Sequence, residues 1–173
     1  MPLNINLNNP IISMLKNYFQ HYNHKKYWKY REYVTNPAMG GGKIAMLRKY
    51  LKLMYIKRCD AFNNASMGTD LNGGALFNTP TRLPHGLNGI IISPYAKIGS
   101  NITIFHQVTI ADDAKDYHNA PTIGDNVMIG AGAILIGKIT IGNNVKIGAG
   151  AIVVENIPDN AVVVGGKARI IIK

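Results

Sequence analysis

The segment PTIGDNVMIGAGAILIGKITIGNNVKIGAG, residues 121–150, decides the fold of this 173-residue chain. An aliphatic residue returns at every sixth position, and the same spacing continues on both sides of the segment. The series comprises Ile92, Ile98, Ile104, Ile110, Ile123, Ile129, Leu135, Ile141, Ile147 and Val153. Neither the two-residue period of a strand nor the 3.6-residue period of a helix produces this spacing. A six-residue period predicts a parallel β-helix, in which each hexapeptide forms one face of a coil.

A second series of small or aliphatic residues lies four positions after most members of the first. It comprises Ala96, Ile102, Val108, Val127, Ala133, Ile139, Val145, Ala151 and Ile157. Glycine often follows the aliphatic residue directly, as at Gly99 and Gly124, and asparagine stands nearby in GSN and GNN. We expect both aliphatic series to point inward, and glycine or asparagine to turn the corners with left-handed backbone angles.

The repeat is interrupted once, between Ile110 and Ile123, where ADDAKDYHNAPT holds one residue more than two repeats allow. This acidic, proline-containing segment predicts a loop that projects from the coil over residues 111–122. Loops on a rigid scaffold often carry function, so the loop is a candidate binding element.

The first third of the chain has a different character, which divides the protein into a basic, α-helical region at 1–62 and a repeat domain at 63–173. Residues 1–60 carry 11 Lys and Arg against two acidic residues, and they hold seven of the nine tyrosines. Helical spacing begins at Pro10 behind an asparagine-rich cap and continues through HKKYWKYREY until TNPAMGGG breaks it. A second helix is predicted over 43–58, with an apolar stripe that includes Ile44, Leu47, Leu51 and Met54.

The basic N-terminal region has three interpretations: helical packing with a solvated charged face, attraction to anionic lipids or an acidic glycan, and nucleic-acid binding. No motif supports nucleic acid, so we expect none as a partner. The sequence shows neither a signal peptide nor an apolar stretch of about 18 residues. Its lone cysteine, Cys59, suits a buried structural thiol. We therefore expect a cytoplasmic protein whose N-terminus allows peripheral contact with the inner face of the membrane.

Several segments resemble the left-handed β-helix acyltransferases. PTIGDNVMIGAGA and the closing VVVGGKARI carry the general resemblance, and LPHGLNGIIISPYAKIG followed by VTIADD is similar to the serine acetyltransferase branch and its sugar O-acetylating relatives. The resemblance covers roughly residues 65–172. It implies a mainly β fold, a left-handed parallel β-helix of hexapeptide repeats with a short α-helical N-terminal region. It also implies a homotrimer with acetyl-CoA in the groove between coils of two subunits.

The resemblance further implies a catalytic dyad of His85 and Asp70, which lies fifteen residues earlier. An acceptor hydroxyl must lose its proton as it attacks the thioester, and an imidazole that is mostly neutral at pH 7 can take that proton. A carboxylate bonded to the other ring nitrogen would fix the tautomer and stabilise the imidazolium. Coenzyme A is a good leaving group, so no covalent enzyme intermediate is needed.

The positions that would contact acetyl-CoA are also implied by the resemblance. Backbone of the IGAGA segments would line the groove, and basic side chains of the last coils would meet the phosphates, for which solvated surface charge is the alternative. These candidates are Gly130, Ala131, Lys146, Ala149, Lys167 and Arg169. No metal site is expected.

The loop departs from the serine acetyltransferase pattern, in which Asp-Arg-His-Pro includes an arginine for the acceptor carboxylate. No arginine stands before Ala120, and the loop histidine is displaced to His118. We therefore predict acetyl transfer to a sugar hydroxyl of a surface polysaccharide or its precursor, with serine O-acetylation as the alternative. The candidate acceptor-binding residues are His118, His106, Asp112 and Asp113. Solvated loop positions and packing are the alternatives for the histidines.

Two other function classes compete with an acetyltransferase. The γ-type carbonic anhydrases share the β-helix and bind zinc through three histidines, but the spacings of His85, His106 and His118 lack the close histidine pair of that family. A non-catalytic scaffold is the other alternative, against which stabilisation by acetyl-CoA would argue.

Overall fold

Three helices precede the repeat in the computed structural model, which describes residues 10–39 and 41–166. They are α1 (Pro10–Phe19), α2 (His24–Thr35) and α3 (Lys43–Phe62). The predicted continuous first helix was wrong, because the chain breaks at His21, whose φ of 49° is left-handed. Asn23 then caps α2 by accepting a hydrogen bond from the Lys26 amide at 3.0 Å, as N-cap asparagines do. The second predicted helix is confirmed and extends to Phe62. No described helix is long and apolar enough to cross a membrane.

Helix α2 connects α3 to the start of the β-helix through buried polar groups. Arg31 donates to the Ala75 carbonyl at 2.6 Å, and the Tyr27 hydroxyl donates to Asp60 of α3 at 2.7 Å. Burial raises the pKa of Asp60 to about 6, against the opposing effect of the Tyr27 hydrogen bond, and burial lowers the pKa of Arg31 to about 10. Cys59 is a free, buried thiol beside this cluster.

Within the described part of the chain, fourteen short strands follow the helices. They are β1 (Thr69–Asp70), β2 (Gly73–Gly74), β3 (Leu76–Phe77), β4 (Ile91–Ile92), β5 (Lys97–Ile98), β6 (Thr103–Ile104), β7 (Thr109–Ala111), β8 (Thr122–Ile123), β9 (Met128–Ile129), β10 (Ile134–Ile136), β11 (Thr140–Ile141), β12 (Lys146–Ile147), β13 (Ile152–Val153) and β14 (Val162–Val163). β1 and β2 form an antiparallel hairpin, and the other twelve form three parallel sheets of four strands. The sheet orders are β4-β7-β10-β13, β3-β5-β8-β11 and β6-β9-β12-β14. Successive strands belong to successive sheets, so the chain winds as a three-sided coil.

The six-residue aliphatic series forms the interior of the coil, as predicted. All ten members are at most 2% exposed, and they stack on one another across coils, as Ile92 stacks on Ile110 and Ile110 on Leu135. The second series is buried as well, except for Ile157, which is partly buried. Each buried aliphatic side chain contributes on the order of 2 kcal/mol, so the repeat itself is the main source of stability.

The three edges of the coil differ, and each is named here by its contents. The histidine edge comprises residues 83–90, 105–108, 130–133 and 148–151. The loop edge comprises 67–75, 93–96, 112–121 and 137–139. The asparagine edge comprises 78–81, 99–102, 124–127 and 142–145. Each edge joins two neighbouring sheets.

Asparagine and glycine recur at the corners of the repeat for different structural reasons. Asn101, Asn126 and Asn144 have φ of 56–58°, and their side chains hydrogen-bond in a ladder at 3.2 Å per step. The glycines that follow the aliphatic positions do not have positive φ, so that part of the corner prediction was wrong. At Gly130, for example, a β-carbon would lie 2.5 Å from the Ala149 amide nitrogen of the next coil. These glycines are required by the close approach of successive coils.

The projecting loop and the first turn of the histidine edge both hold extra residues relative to the regular coil, whose length is set by strand pairs such as Ile92 with Ile110 and Ile123 with Ile141. Ile110 and Ile123 lie on successive faces of the coil, as do their strand partners Ile92 and Ile98, which are six positions apart. Because Ile110 and Ile123 are thirteen positions apart, the projecting loop adds seven residues rather than the predicted one. The first turn of the histidine edge also carries three extra residues. Nine positions separate Arg82 from Ile91, whereas six separate their partners Thr103 and Thr109. This second insertion lies in LPHGLNG and lifts His85 away from the coil surface.

Candidate functional site

Two histidines meet on the histidine edge. The Nδ1 atoms of His85 and His106 lie 2.7 Å apart, within hydrogen-bonding distance, and their ring centroids are 4.7 Å apart. Phe105 packs edge-on against His85 at 5.7 Å. His85 is exposed and His106 is half-buried. The pair therefore presents one accessible imidazole whose orientation is set by a neighbour on the next coil.

A hydrogen bond between two Nδ1 atoms restricts the tautomers of the pair, since one atom must donate and the other must accept. If His85 donates, its Nε2 lone pair faces outward and can accept a proton. His106 then accepts at Nδ1 and carries its own proton at Nε2. In this tautomer His106 accepts from the His85 ring nitrogen at the position where a carboxylate stands in a catalytic triad.

Small residues continue the same edge beyond the histidines. Gly130 and Ala131 lie on the next coil, where the Gly132 amide donates to the His106 carbonyl at 3.0 Å. Ala149 follows one coil later, where the Gly150 amide donates to the Ala131 carbonyl at 2.9 Å. The structure thus brings His85, His106 and three of the predicted acetyl-CoA contacts into one column.

Of the three basic residues predicted to meet the phosphates, the structure describes one. Lys146 lies on β12, in a sheet that adjoins the column, and its side chain is exposed. Lys167 and Arg169 lie outside the described residues. Among the residues that the structure does describe, no cluster of three His, Cys, Asp or Glu side chains could hold a metal ion.

Asp70 lies on a different edge of the coil from His85 within one chain. It ends β1, in the hairpin at residues 69–74 on the loop edge, and it is exposed. Within the described part of the chain its carboxylate makes no hydrogen bond to His85, whose Nδ1 is taken by His106. The predicted dyad of His85 and Asp70 is therefore not formed within one chain, and it stays a prediction for an assembly of subunits. The hairpin adds residues between Ser66, which pairs with Ile91, and Leu76, which pairs with Lys97, and this carries Asp70 to a different edge.

The two acidic residues at the start of the projecting loop shape its backbone. Asp112 accepts from the Ser93 hydroxyl at 3.2 Å and from the Ala114 amide at 3.1 Å. Asp113 accepts from the amides of Lys115 and Asp116, and those bonds lower the pKa of its carboxyl. Their oxygens are thus engaged inside the loop, whereas the prediction assigned them to acceptor hydroxyls.

His118 belongs to an exposed cluster near the tip of the loop. Its Nδ1 lies 2.9 Å from Asp116, whose carboxyl has a lowered pKa because it accepts from the His118 amide and ring. The His118 ring packs 4.7 Å from Tyr95 and 4.4 Å from Tyr117. The sequence interpretation overlooked both tyrosines and Asp116. Only their proximity to the loop histidine could have indicated them, since aromatic rings beside a histidine have no fixed spacing.

Within one chain the two clusters are separate. His85 precedes β4 on the histidine edge, and His118 lies between β7 and β8 on the loop edge. His106, predicted as an acceptor contact, is instead the direct partner of His85. The coil therefore has two edges that carry candidate functional side chains. One holds the His85–His106 pair beside the column of small residues, and the other holds the aromatic cluster of the projecting loop.

Comparison with known proteins gives a family match for part of the repeat. Residues 120–154 match the family described as bacterial transferase hexapeptide, six repeats. A serine acetyltransferase of Mycobacterium tuberculosis is 38% identical over 111 residues, which are 64% of this chain and 48% of that protein. The putative colanic acid biosynthesis acetyltransferase WcaB of Escherichia coli is 40% identical over 103 residues, 60% of this chain and 63% of that protein. The chain spans about half the length of most of these relatives.

Solved structures agree with the sequence comparison. The serine acetyltransferase CysE of Neisseria gonorrhoeae superposes with a TM-score of 0.56 and 38% identity, covering 70% of this chain and 45% of that chain. The Brucella abortus serine acetyltransferase in complex with coenzyme A gives a TM-score of 0.62 at 26% identity, covering 85% and 53%. The repeat, the parallel sheets and these neighbours confirm the predicted fold class, a left-handed parallel β-helix with a short helical N-terminal region.

Proposed function

We propose that this chain, which has the fold and the hexapeptide repeat of the left-handed β-helix acyltransferases, transfers an acetyl group from acetyl-CoA to an acceptor hydroxyl. The observation that carries the proposal is the His85–His106 pair. It leaves one exposed ring nitrogen free, at the head of a column of small residues on the same edge. Serine and colanic acid acetyltransferases among the relatives support the same chemistry.

In this mechanism His85 is the general base. Its Nε2 takes the proton of the acceptor hydroxyl as the oxygen attacks the acyl carbon, a step that typically contributes about 10²- to 10⁴-fold. His106 holds the His85 ring by accepting from Nδ1–H, and this bond strengthens when the ring becomes an imidazolium. His85 then returns the proton to the departing thiolate. Acetyl-CoA supplies only the activated thioester.

The column beside His85 fits a narrow, extended thioester ligand. Gly130, Ala131 and Ala149 project little or no side chain from the edge, so their backbone is accessible to a ligand arm. Lys146 offers a cation on the adjoining sheet, where it suits a phosphate. The Brucella abortus neighbour is described as a complex with coenzyme A, which supports a site of this kind.

We propose that the active unit is a homotrimer. Exposed aliphatic residues occupy the two sheets that adjoin the histidine edge, namely Ile152 and Val154 on one side and Val162 and Val164 on the other. Packing of subunits along these sheets would cover apolar surface and would bring the loop edge of one subunit to the histidine edge of another. Asp70 and the His118 cluster would then approach the His85 of a neighbouring chain. Sedimentation of a fully active monomer would overturn this assembly.

The comparisons support L-serine as the acceptor better than they support a sugar, because most of the similar proteins are serine acetyltransferases. Serine would need a cation for its carboxylate. Lys115 is the only lysine or arginine in the loop, and it is exposed. We therefore assign Lys115 to the serine carboxylate if serine is the substrate.

A sugar hydroxyl is the second candidate, and the loop favours it. No arginine stands in the loop, and the ring of its Tyr117 packs beside Tyr95 of the 93–96 turn, a pair that suits the apolar face of a sugar ring. The relative described as a colanic acid biosynthesis acetyltransferase supports this acceptor class. A surface polysaccharide or its precursor would be the substrate.

Release of free coenzyme A distinguishes the two acceptors. The thiol is titrated with purified protein, acetyl-CoA and either L-serine or a panel of hexoses and N-acetylhexosamines. Saturable turnover with serine, together with a KM for serine that rises about tenfold or more in Lys115→Ala, supports the serine proposal. Faster turnover with a sugar, unchanged by Lys115→Ala, supports the second candidate. Absence of thermal stabilisation by acetyl-CoA would instead indicate a non-catalytic scaffold.

A further inference from the structure

Helix α3 has two opposite faces, and the other described residues cover only one of them. The covered face, at Lys49, Ile56 and Asp60, packs against α2 and the residues around it. The opposite face carries a stripe that the sequence predicted to be apolar. Its members are 58–70% exposed: Ile44, Leu47, Leu51 and Met54. Their spacings of three, four and three residues place them on one side of the helix.

Cations flank this stripe, and α3 carries no exposed carboxylate. Lys43, Arg48, Lys57 and Arg58 are exposed on α3. Lys52 lies over the rings of Tyr30 and Tyr33 at 5.1 and 4.7 Å. The only acidic residue of the helix is Asp60, which is buried on the opposite face. The complementary partner is therefore both apolar and anionic.

The exposed apolar surface continues beyond α3. Phe62, at the end of α3, packs 3.9 Å from the ring of His21, and His21 stacks in turn on Tyr18 at 6.3 Å. Tyr18 and Phe19 of α1 are 71% and 70% exposed. Aromatic side chains of this kind favour the region between lipid headgroups and acyl chains. The whole surface, from Ile44 to Phe19, is named the α3 face.

We propose that the α3 face docks on a membrane surface rich in anionic lipid. The stripe would insert shallowly, and the flanking lysines and arginines would pair with headgroup phosphates, as in interfacial amphipathic helices. A second copy of this chain is a poorer occupant, because it would bring two cationic borders together. The inference rests on the helical region alone and holds whichever acceptor the β-helix uses.

Vesicle co-sedimentation of the full chain tests the proposal. We expect binding to vesicles of phosphatidylglycerol and phosphatidylcholine at 3:7, and at least tenfold weaker partitioning to pure phosphatidylcholine. Leu47→Glu with Leu51→Glu should reduce partitioning at least tenfold. Arg48→Gln with Lys57→Gln should reduce it by about fivefold per charge, an effect that 0.5 M NaCl would mimic.

Leu76→Glu is the matched control, since Leu76 is 61% exposed on β3, away from α3. It should leave partitioning unchanged, and circular dichroism confirms that each variant is folded. The proposal is overturned if the wild type does not bind anionic vesicles, or if binding ignores the charge of the lipid. It is also overturned if Leu47→Glu with Leu51→Glu changes the sedimentation coefficient of the protein but not vesicle binding, which would identify a second copy as the occupant.

Discussion

The Nδ1 atoms of His85 and His106 face each other at 2.7 Å across neighbouring coils, so one of the two atoms must carry a proton and the other must accept it. His85 sits on a three-residue insertion in the first coil, and His106 sits on a regular corner of the next. In the proposed mechanism this contact holds the exposed His85 ring in one orientation towards the acceptor.

Replacing His85 with alanine should lower kcat by roughly 10²- to 10⁴-fold, because it removes the exposed imidazole that takes the acceptor proton in the proposed mechanism. The dissociation constant for acetyl-CoA should change little, since the ring acts on the acceptor. Steady-state kinetics and calorimetric titration with acetyl-CoA measure the two effects. Near-normal turnover in this variant would place the base elsewhere.

His106 is a positioning residue in the proposed mechanism, and its replacement should act through His85. We expect His106→Ala to lower kcat by about 10- to 100-fold with little change in either KM, since the lost contact matters as the proton moves. His106→Asn should recover part of the loss, because its amide oxygen can accept from Nδ1–H. Asn and Ala variants of equal, low activity would show that His106 serves packing only.

The cluster at the loop tip should govern acceptor binding. His118→Ala removes the ring that packs against both Tyr95 and Tyr117, so the acceptor KM should rise about 5- to 50-fold while kcat is retained. Asp116→Asn should act in the same direction but more weakly, since the backbone amide of His118 keeps a partner. A loss of kcat equal to that of His85→Ala would make His118 part of the proton transfer.

Asp60 should give the folded protein a measurable pH dependence. Burial holds its pKa at about 6, above the 3.8 of an unfolded chain, so the folded state binds this proton more tightly. The stability that Asp60 contributes is therefore greatest below pH 4 and is lost as the pH rises towards 6. Relative to Asp60→Asn, the free energy of unfolding should fall by about 2 kcal/mol between pH 4 and pH 7.

Urea denaturation of the two proteins at each pH measures this difference. The lowered pKa values of Asp113 and Asp116 give the opposite trend at lower pH, and they cancel because both proteins contain them. A difference that is constant with pH would show that Asp60 is ionised in the folded state at pH 4.

The asparagine ladder should contribute conformational stability at its corners. Asn126 has a φ of 58° and bonds to Asn101 and Asn144. Asn126→Ala and Asn126→Gly both remove the ladder bonds, but only alanine is strained at positive φ. The alanine variant should therefore be about 1 kcal/mol less stable than the glycine variant. Equal urea midpoints would contradict a backbone origin for the asparagine preference.

The sequence was sufficient for the architecture because a β-helix is built from local repetition. Each inward aliphatic residue stacks on one from the next coil, so the six-residue period at Ile92 and Val153 reports burial directly. The projecting loop was also visible, as the one break in that period. Its true length was not, because the interval from Ile110 to Ile123 divides equally well into two repeats and one extra residue or into one repeat and seven.

The sequence could indicate individual candidate residues of the site, but it could not indicate which of them are in contact. The repeat and the resemblance that it supports singled out His85 and the small residues Gly130, Ala131 and Ala149, which the structure places on one edge. The partner of His85 could not be predicted. His106 follows His85 by one full coil plus the three-residue insertion before β4, and the repeat does not reveal that insertion. Asp70 was moved to another edge by the hairpin that contains it.

The sequence by itself therefore determined the three-sided coil, its buried core and the position of the loop, because these depend on residues that are neighbours in the repeat. Only the tertiary structure decided which histidine orients His85, which residues surround His118, and that the apolar stripe of α3 faces solvent. Those relationships join residues of different coils or different helices. Their distances follow from insertions and from packing, and neither leaves a periodic signal in the chain.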